Sequence, residues 1–167
     1  MSETKTKEQI VDKTAWPQGP WQPEPDEKRW TDEETGLPCI ALRGPVGAWC
    51  GYVGVPVTHP AFGRDYYKSD FPLDEVISGK AMADVKAQHQ INEIQVHGGL
   101  TYAGADEQRG TDRWWFGFDC AHAGDWCPSY QDIVDLGAAT DWGGTVEYRD
   151  LAYTISECGK LARQLAR

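Results

Sequence analysis

Two histidines and two aspartates lie where local spacing can bring them together: His97, then Asp119, His122 and Asp125 in the run Asp119-Cys120-Ala121-His122-Ala123-Gly124-Asp125-Trp126-Cys127. An imidazole beside a carboxylate has two uses. The carboxylate orients the ring and favours its charged form, making a structural ion pair. The same pair supplies a general base, or a charged hydrogen-bond donor to an anionic ligand near neutral pH. If the chain is an enzyme, the catalytic set is therefore His97, Asp119, His122 and Asp125. These groups are acceptable to Zn²⁺, Mn²⁺ or Fe²⁺ by ligand type. Their spacing matches no metal motif, however, and Cys120 and Cys127 have no second cysteine pair to join, so neither a metal nor another cofactor is expected. The chain has no Gly-rich phosphate loop of the Walker or dinucleotide type and no Gly-x-Ser-x-Gly elbow, which disfavours familiar nucleotide hydrolases and serine hydrolases.

The elements that must position these groups are two strand-like runs, 91–102 and 113–121, joined by a polar, Gly-containing loop. An antiparallel hairpin centred near Gln108 sets Ile94, Val96, Gly98, Leu100 and Tyr102 opposite His122, Cys120, Phe118, Phe116 and Trp114 on a core face. On the other face His97 meets Asp119, Gly99 meets Gly117 and Thr101 meets Trp115. Two opposed glycines leave a gap in which a ligand can approach the backbone. The ligand-binding set is then His97, Gly98, Gly99, Thr101, Trp115, Gly117 and Asp119, with Arg109, Arg113 or Arg64 available to a phosphate.

Further elements follow from periodicity and punctuation. The apolar runs 39–42 and 48–55 flank Arg43-Gly44-Pro45-Val46-Gly47 and read as a second hairpin. Residues 56–68 read as a loop, and 72–89 as holding one or two short helices. Tyr148, Leu151, Ala152, Ile155, Cys158, Ala162 and Leu165 recur at three- and four-residue steps and predict a C-terminal helix, with Thr145 as its N-cap. Residues 1–35, rich in proline and carrying Trp16, Trp21 and Trp30, read as an extended arm laid across the domain or a neighbouring subunit. The expected fold is α+β: residues 36–167 as a single domain, a small antiparallel sheet of hairpins covered on one face by the C-terminal helix.

Composition bounds the rest. The chain has 167 residues and a formal net charge of −10, which argues against nucleic acid as a partner because non-specific binding needs a basic surface. No run of about 20 apolar residues and no apolar leader occurs, so no membrane partner is expected, and a soluble, cytoplasmic protein is. Eight Trp and seven Tyr against four Phe favour walls that meet both apolar groups and water. Five cysteines without a secretory signal read as free thiols, with Cys39, Cys50 and Cys158 as small buried side chains. An arm carrying tryptophans also suits a homo-oligomer.

Four blocks carry a resemblance: Trp49-Cys50-Gly51-Tyr52-Val53-Gly54-Val55-Pro56 with His59-Pro60, Val96-His97-Gly98-Gly99-Leu100-Thr101-Tyr102-Ala103-Gly104, Trp114-Trp115-Phe116-Gly117-Phe118-Asp119-Cys120-Ala121-His122-Ala123-Gly124-Asp125, and Tyr148-Arg149-Asp150-Leu151. Over roughly residues 47–165 the chain resembles a family of small proteins encoded by tailed phages, prophages and bacteria. The resemblance implies action in the host cytoplasm and no particular activity. Three functions are open at this point. The leading one is capture of a small anionic or nucleotide-like molecule, such as an ADP-ribose-like signal of antiphage defence, in the glycine-floored trough. The alternatives are hydrolysis of a nucleotide-like substrate by the His/Asp set, and binding of a host protein through the aromatic surface.

Overall fold

Why the central strands form is plain from their residues. The β-branched and aromatic-rich run Trp49–Pro56 and the apolar run Pro38–Arg43 pair as an antiparallel hairpin, with Ile40 opposite Tyr52. Its turn closes through Gly44 N–H to Ala48 O at 2.8 Å and Gly47 N–H to Gly44 O at 2.9 Å. The computed structural model describes residues 5–7, 11–66, 82–130 and 146–167. In chain order the elements are β1 (Lys5–Lys7), β2 (Glu27–Thr31), β3 (Pro38–Arg43), β4 (Trp49–Pro56), α1 (Met82–Asn92), β5 (Tyr102–Asp106), β6 (Gly110–Asp119), a 3₁₀ turn (Pro128–Tyr130) and α2 (Leu151–Leu165). The strands make one six-stranded antiparallel sheet ordered β1-β2-β3-β4-β6-β5.

Alternation along the strands sorts the two faces. Cys39, Val53, Val55, Phe116 and Phe118 point to one side, where Cys158, Leu161, Ala162 and Leu165 of α2 complete the main core with Ile91 and Ile94. Helix α2 packs on β4 and β3, and Gly51 is what lets it settle. A Cβ there would run into the Phe118 ring and lie 2.7 Å from Cys158 Sγ. The N-cap of α2 is Asp150, whose side chain accepts from Tyr153 N–H at 2.8 Å. The predicted cap, Thr145, lies outside the described residues. Tyr148, expected on the helix stripe, precedes the helix, and Ala152 is exposed. At the far end His59 Nδ1 accepts from Ala61 N–H at 3.1 Å, leaving Nε2–H to donate to Leu165 O at 2.8 Å and satisfy a terminal carbonyl.

The α+β sheet with a C-terminal helix on one face is thus the observed architecture, but the expected hairpin 91–102 with 113–121 is corrected. Residues 91 and 92 end α1, and β5 starts only at Tyr102. Gly98 and Gly99 have φ of 66° and 84°, and Gly99 N–H closes a turn onto Val96 O at 2.9 Å. Two successive positive φ values cannot sit in a strand. The register moves with it: Gly117 faces Tyr102, and Trp115 faces Gly104. The core side of β6 keeps its expected parity, and Ile94, Val96 and Leu100 still reach the main core from a loop.

Within residues 1–35, the stretch expected as an extended arm, β1 and β2 pair as strands of the sheet. The stretch between them is anchored by buried charge. Asp26 accepts from Arg43 Nε at 2.8 Å and pairs with Lys13 Nζ at 2.9 Å, and Trp21 meets the Tyr148 ring edge-on at 5.2 Å. All five cysteines are free thiols, four of them buried and Cys50 half-buried.

Candidate functional site

Beyond β6 the chain turns tightly so that its own carboxylate caps the turn. Asp125 N–H donates to His122 O at 2.9 Å, and His122 N–H donates to Asp125 Oδ2 at 3.0 Å. The turn is pinned to the segment before α2: Glu147 N–H donates to Gly124 O and Trp126 N–H to Glu147 O, both at 2.9 Å.

His97 arrives from the irregular loop after α1, which α2 holds by three backbone bonds. Gln164 Oε1 accepts from Gln95 N–H and Gln164 Nε2 donates to Gln95 O, both at 2.8 Å, while Glu157 Oε2 accepts from His97 N–H at 2.9 Å. The His97 ring then spans two partners, with Nε2 2.7 Å from Asp125 Oδ2 and Nδ1 2.7 Å from the Tyr153 hydroxyl. The third ring, His122, lies against the main chain of Gly98, where a Cβ would collide with it. His97 and His122 stand edge to face at 5.7 Å between centroids.

Electrostatics assign the protons. Burial alone would push the Asp125 carboxyl up, but His97, the His122 N–H and Arg149 outweigh it and hold it below the usual carboxylate range. Arg149 Nε reaches Asp125 Oδ1 at 3.1 Å, and its guanidinium lies over the Tyr153 ring at 4.9 Å. Burial and the nearby Glu157 carboxylate raise Tyr153, so its hydroxyl stays protonated. With Asp125 ionised, its Oδ2 accepts from His97 Nε2–H. Burial pushes the Cys120 thiol up to about 12 and Cys127 in the same direction, so neither is a thiolate nucleophile.

His122 is the exception to this satisfied network. Its Nδ1 is buried and has no hydrogen-bond partner among the described residues, although Asp119 Oδ1 lies 3.5 Å away and Asp125 Oδ2 3.8 Å away. Beside it is a cavity of about 60 Å³, lined by His122 and Asp125 together with Ala121, Ala123, Gly124, Trp126, Tyr130 and Val146. That is room for a few waters or the reacting end of a small molecule.

Of the residues expected to form the site, His97, His122 and Asp125 converge, and Asp119 stands at the edge. The pairing itself is corrected, since His97 pairs with Asp125 and not with Asp119. Asp119 accepts instead from Thr101 Oγ1 at 2.9 Å and from Ala121 N–H at 3.1 Å.

The glycine-floored trough is not formed. The Tyr52 ring covers Gly117, and Trp115 is buried on the sheet face away from α2, beside Ile40 and Leu42. Gly98 serves His122, and Gly99 has open space where its side chain would be. Arg109 stacks between Tyr52 and Tyr102, at 4.5 and 4.2 Å from the ring centres. Arg64 pairs with Asp84, and Arg113 lies 3.6 Å from Asp112. None of the three lines the cavity.

Sequence reasoning missed Arg149, Tyr153, Glu157 and Gln164. The signal was available in part, because Tyr153 and Glu157 stand four residues apart and so share a face of the predicted helix. Among the described residues no helix is long and apolar enough to cross a membrane. Comparison of the chain with protein-family models, with curated proteins and with solved structures finds no match.

Proposed function

We propose that the chain is a hydrolase of a small substrate, with water activated at the His97, His122 and Asp125 cluster and the substrate held in the adjoining cavity. The observation that carries this reading is His122 Nδ1, a buried ring nitrogen with no hydrogen-bond partner among the described residues, beside a cavity. Buried polar atoms are satisfied almost everywhere in folded proteins, and the exceptions concentrate where another molecule is meant to bond. The surrounding network supports it. Asp125 is held ionised with Arg149 against its second oxygen, and His97 is locked between two partners.

The substrate class follows from the walls. Ala121, Ala123, Val146 and the edge-to-face pair of Trp126 and Tyr130, 6.5 Å apart, suit a flat or apolar group next to the bond that breaks. Among the described residues no arginine lines the cavity, and the nearby Arg149 is paired with Asp125 at 3.1 Å and with Glu147 at 2.7 Å, so the walls favour an apolar or aromatic group over a phosphate.

Nucleosides, aryl esters and aryl phosphates are the substrates to assay first. For the one turned over, His122→Ala is expected to lower kcat about 10²- to 10⁴-fold with an unchanged circular dichroism spectrum. Absence of turnover across all three classes, or wild-type rates in His122→Ala, overturns the reading.

The aromatic wall favours a second reading, capture of a nucleotide-like signal without conversion. Protein incubated with such a molecule and then denatured releases it intact in that case, and cleaved if the hydrolase reading holds.

A further inference from the structure

We infer that His97 Nε2, His122 Nδ1 and Asp125 Oδ2 form a binding site for a divalent transition ion of the Zn²⁺ class. The inference deepens the proposed hydrolysis, since it names what activates the water at that same site. The donor atoms of the three residues lie within 4.8 Å of one another. His97 Nε2 and His122 Nδ1 are 2.7 and 3.8 Å from Asp125 Oδ2. Bonds of about 2.1 Å set adjacent donors roughly 3.0 to 3.4 Å apart, so shifts of under about 1 Å bring the three around one ion.

The ligand chemistry fits. Two imidazoles and one carboxylate, with a remaining position left to water or substrate, make an open coordination set, and two of the three ligands, His122 and Asp125, line the cavity. Each ligand also has the support such sites need. His97 turns its other nitrogen to the Tyr153 hydroxyl at 2.7 Å, Arg149 Nε holds the second oxygen of Asp125 at 3.1 Å, and Gly98 seats the His122 ring.

With an ion on Nε2, His97 would donate from Nδ1–H to the Tyr153 oxygen, 2.7 Å away. The buried His122 nitrogen gains the partner it lacks within the described chain. Asp119, 3.5 Å from that nitrogen, is the carboxylate left to accept a proton from ion-bound water. Nearby Arg149 opposes the ion, while the carboxylates of Asp119, Asp125, Glu147 and Glu157 around the cluster favour it.

The test is calorimetric titration of the chelator-stripped full chain with Zn²⁺, together with the visible spectrum after Co²⁺ loading. One equivalent per chain is expected, with Co²⁺ ligand-field bands of a four-coordinate site. His122→Ala and Asp125→Asn should abolish both signals, and His89→Ala, at an exposed histidine outside the cluster, should keep them. No stoichiometric binding by the wild type, or undiminished binding by folded His122→Ala, overturns the site.

Should the ligand variants fail to fold, Tyr153→Phe keeps all three ligands and should weaken Zn²⁺ binding about 10- to 100-fold. Unchanged affinity in that variant overturns the assignment of His97 as a ligand. Zn²⁺ binding without turnover of any substrate removes the hydrolase reading and leaves the ion site standing. Turnover by the stripped chain keeps the hydrolase reading and overturns the ion as what activates the water.

Discussion

Gly98 and Gly99 are neighbours with the same kind of backbone and different reasons for being glycine. Both have positive φ, 66° and 84°, so any L side chain at either position is strained. At Gly98 a Cβ would also collide with the His122 ring, whereas at Gly99 it would meet open space. The two alanine variants therefore separate strain from site geometry. Gly99→Ala is expected to lose about 1 kcal/mol of stability and keep the position of His122. Gly98→Ala is expected to lose about 1 to 3 kcal/mol and displace the ring, with activity falling much further than stability. Urea denaturation set beside a turnover or Co²⁺-binding assay reads the difference. Equal loss of function in both variants would mean that the Gly98 contact does not position His122. Sequence alone shows two adjacent glycines, and strand alternation assigns the open side to Gly99 and the core side to Gly98, without the contact that Gly98 makes with His122.

At the level of elements, the seat of α2 on the sheet rests on a missing side chain in β4. Gly51 lies beneath Phe118 and Cys158, and the main core closes over it. Gly51→Ala is expected to push α2 outward and cost about 1 to 3 kcal/mol, read as a lower urea midpoint with an unchanged m-value. Because α2 also carries Glu157, Tyr153 and Gln164, which hold the His97 loop, a small displacement of the helix is expected to weaken the site too. A variant as stable as wild type would show that the helix is not seated by this glycine.

Much of this layer was legible in the chain. The 39–42 and 48–55 runs gave their hairpin, the three- and four-residue apolar repeat gave α2, and strict alternation placed Phe116 and Phe118 on the core side of β6. The 91–102 run misled because Ile94, Val96 and Leu100 alternate as a buried strand would. Their side chains do reach the core, but a glycine turn carries them there, and hydrophobic period alone does not separate the two. The pairing of His97 with Asp125 depended on that turn and on three polar side chains of α2 more than 50 residues away in sequence, which no local pattern encodes.

Across the molecule, the N-terminal stretch and the candidate site are joined through the short segment that leads into α2. Tyr148 turns one way, donating to Glu24 Oε2 at 2.5 Å, and Arg149 turns the other way to Asp125. Glu24 also accepts from Leu151 N–H at 2.9 Å and pairs with the buried Arg43 at 2.8 Å, tying the arm to the first turn of α2 and to the end of β3. Burial opposes ionisation of Glu24, but these hydrogen bonds and Trp49 Nε1–H together outweigh it and keep its carboxyl below the ordinary value of 4.5. A carboxyl depressed in the folded state binds its proton more weakly there than in the unfolded chain. Its contribution to stability is complete above about pH 4.5 and is lost as the pH falls through the lower folded value. Asp125 and Asp106 are depressed in the same sense and add to the acid sensitivity. Between pH 6 and pH 3 the urea midpoint of the wild type is therefore expected to fall. Glu24→Gln, which keeps the shape of the side chain but carries no titrating proton, is expected to start lower at pH 6 and to lose less over the same interval. Parallel curves for the two proteins would show that Glu24 is not held ionised by this junction.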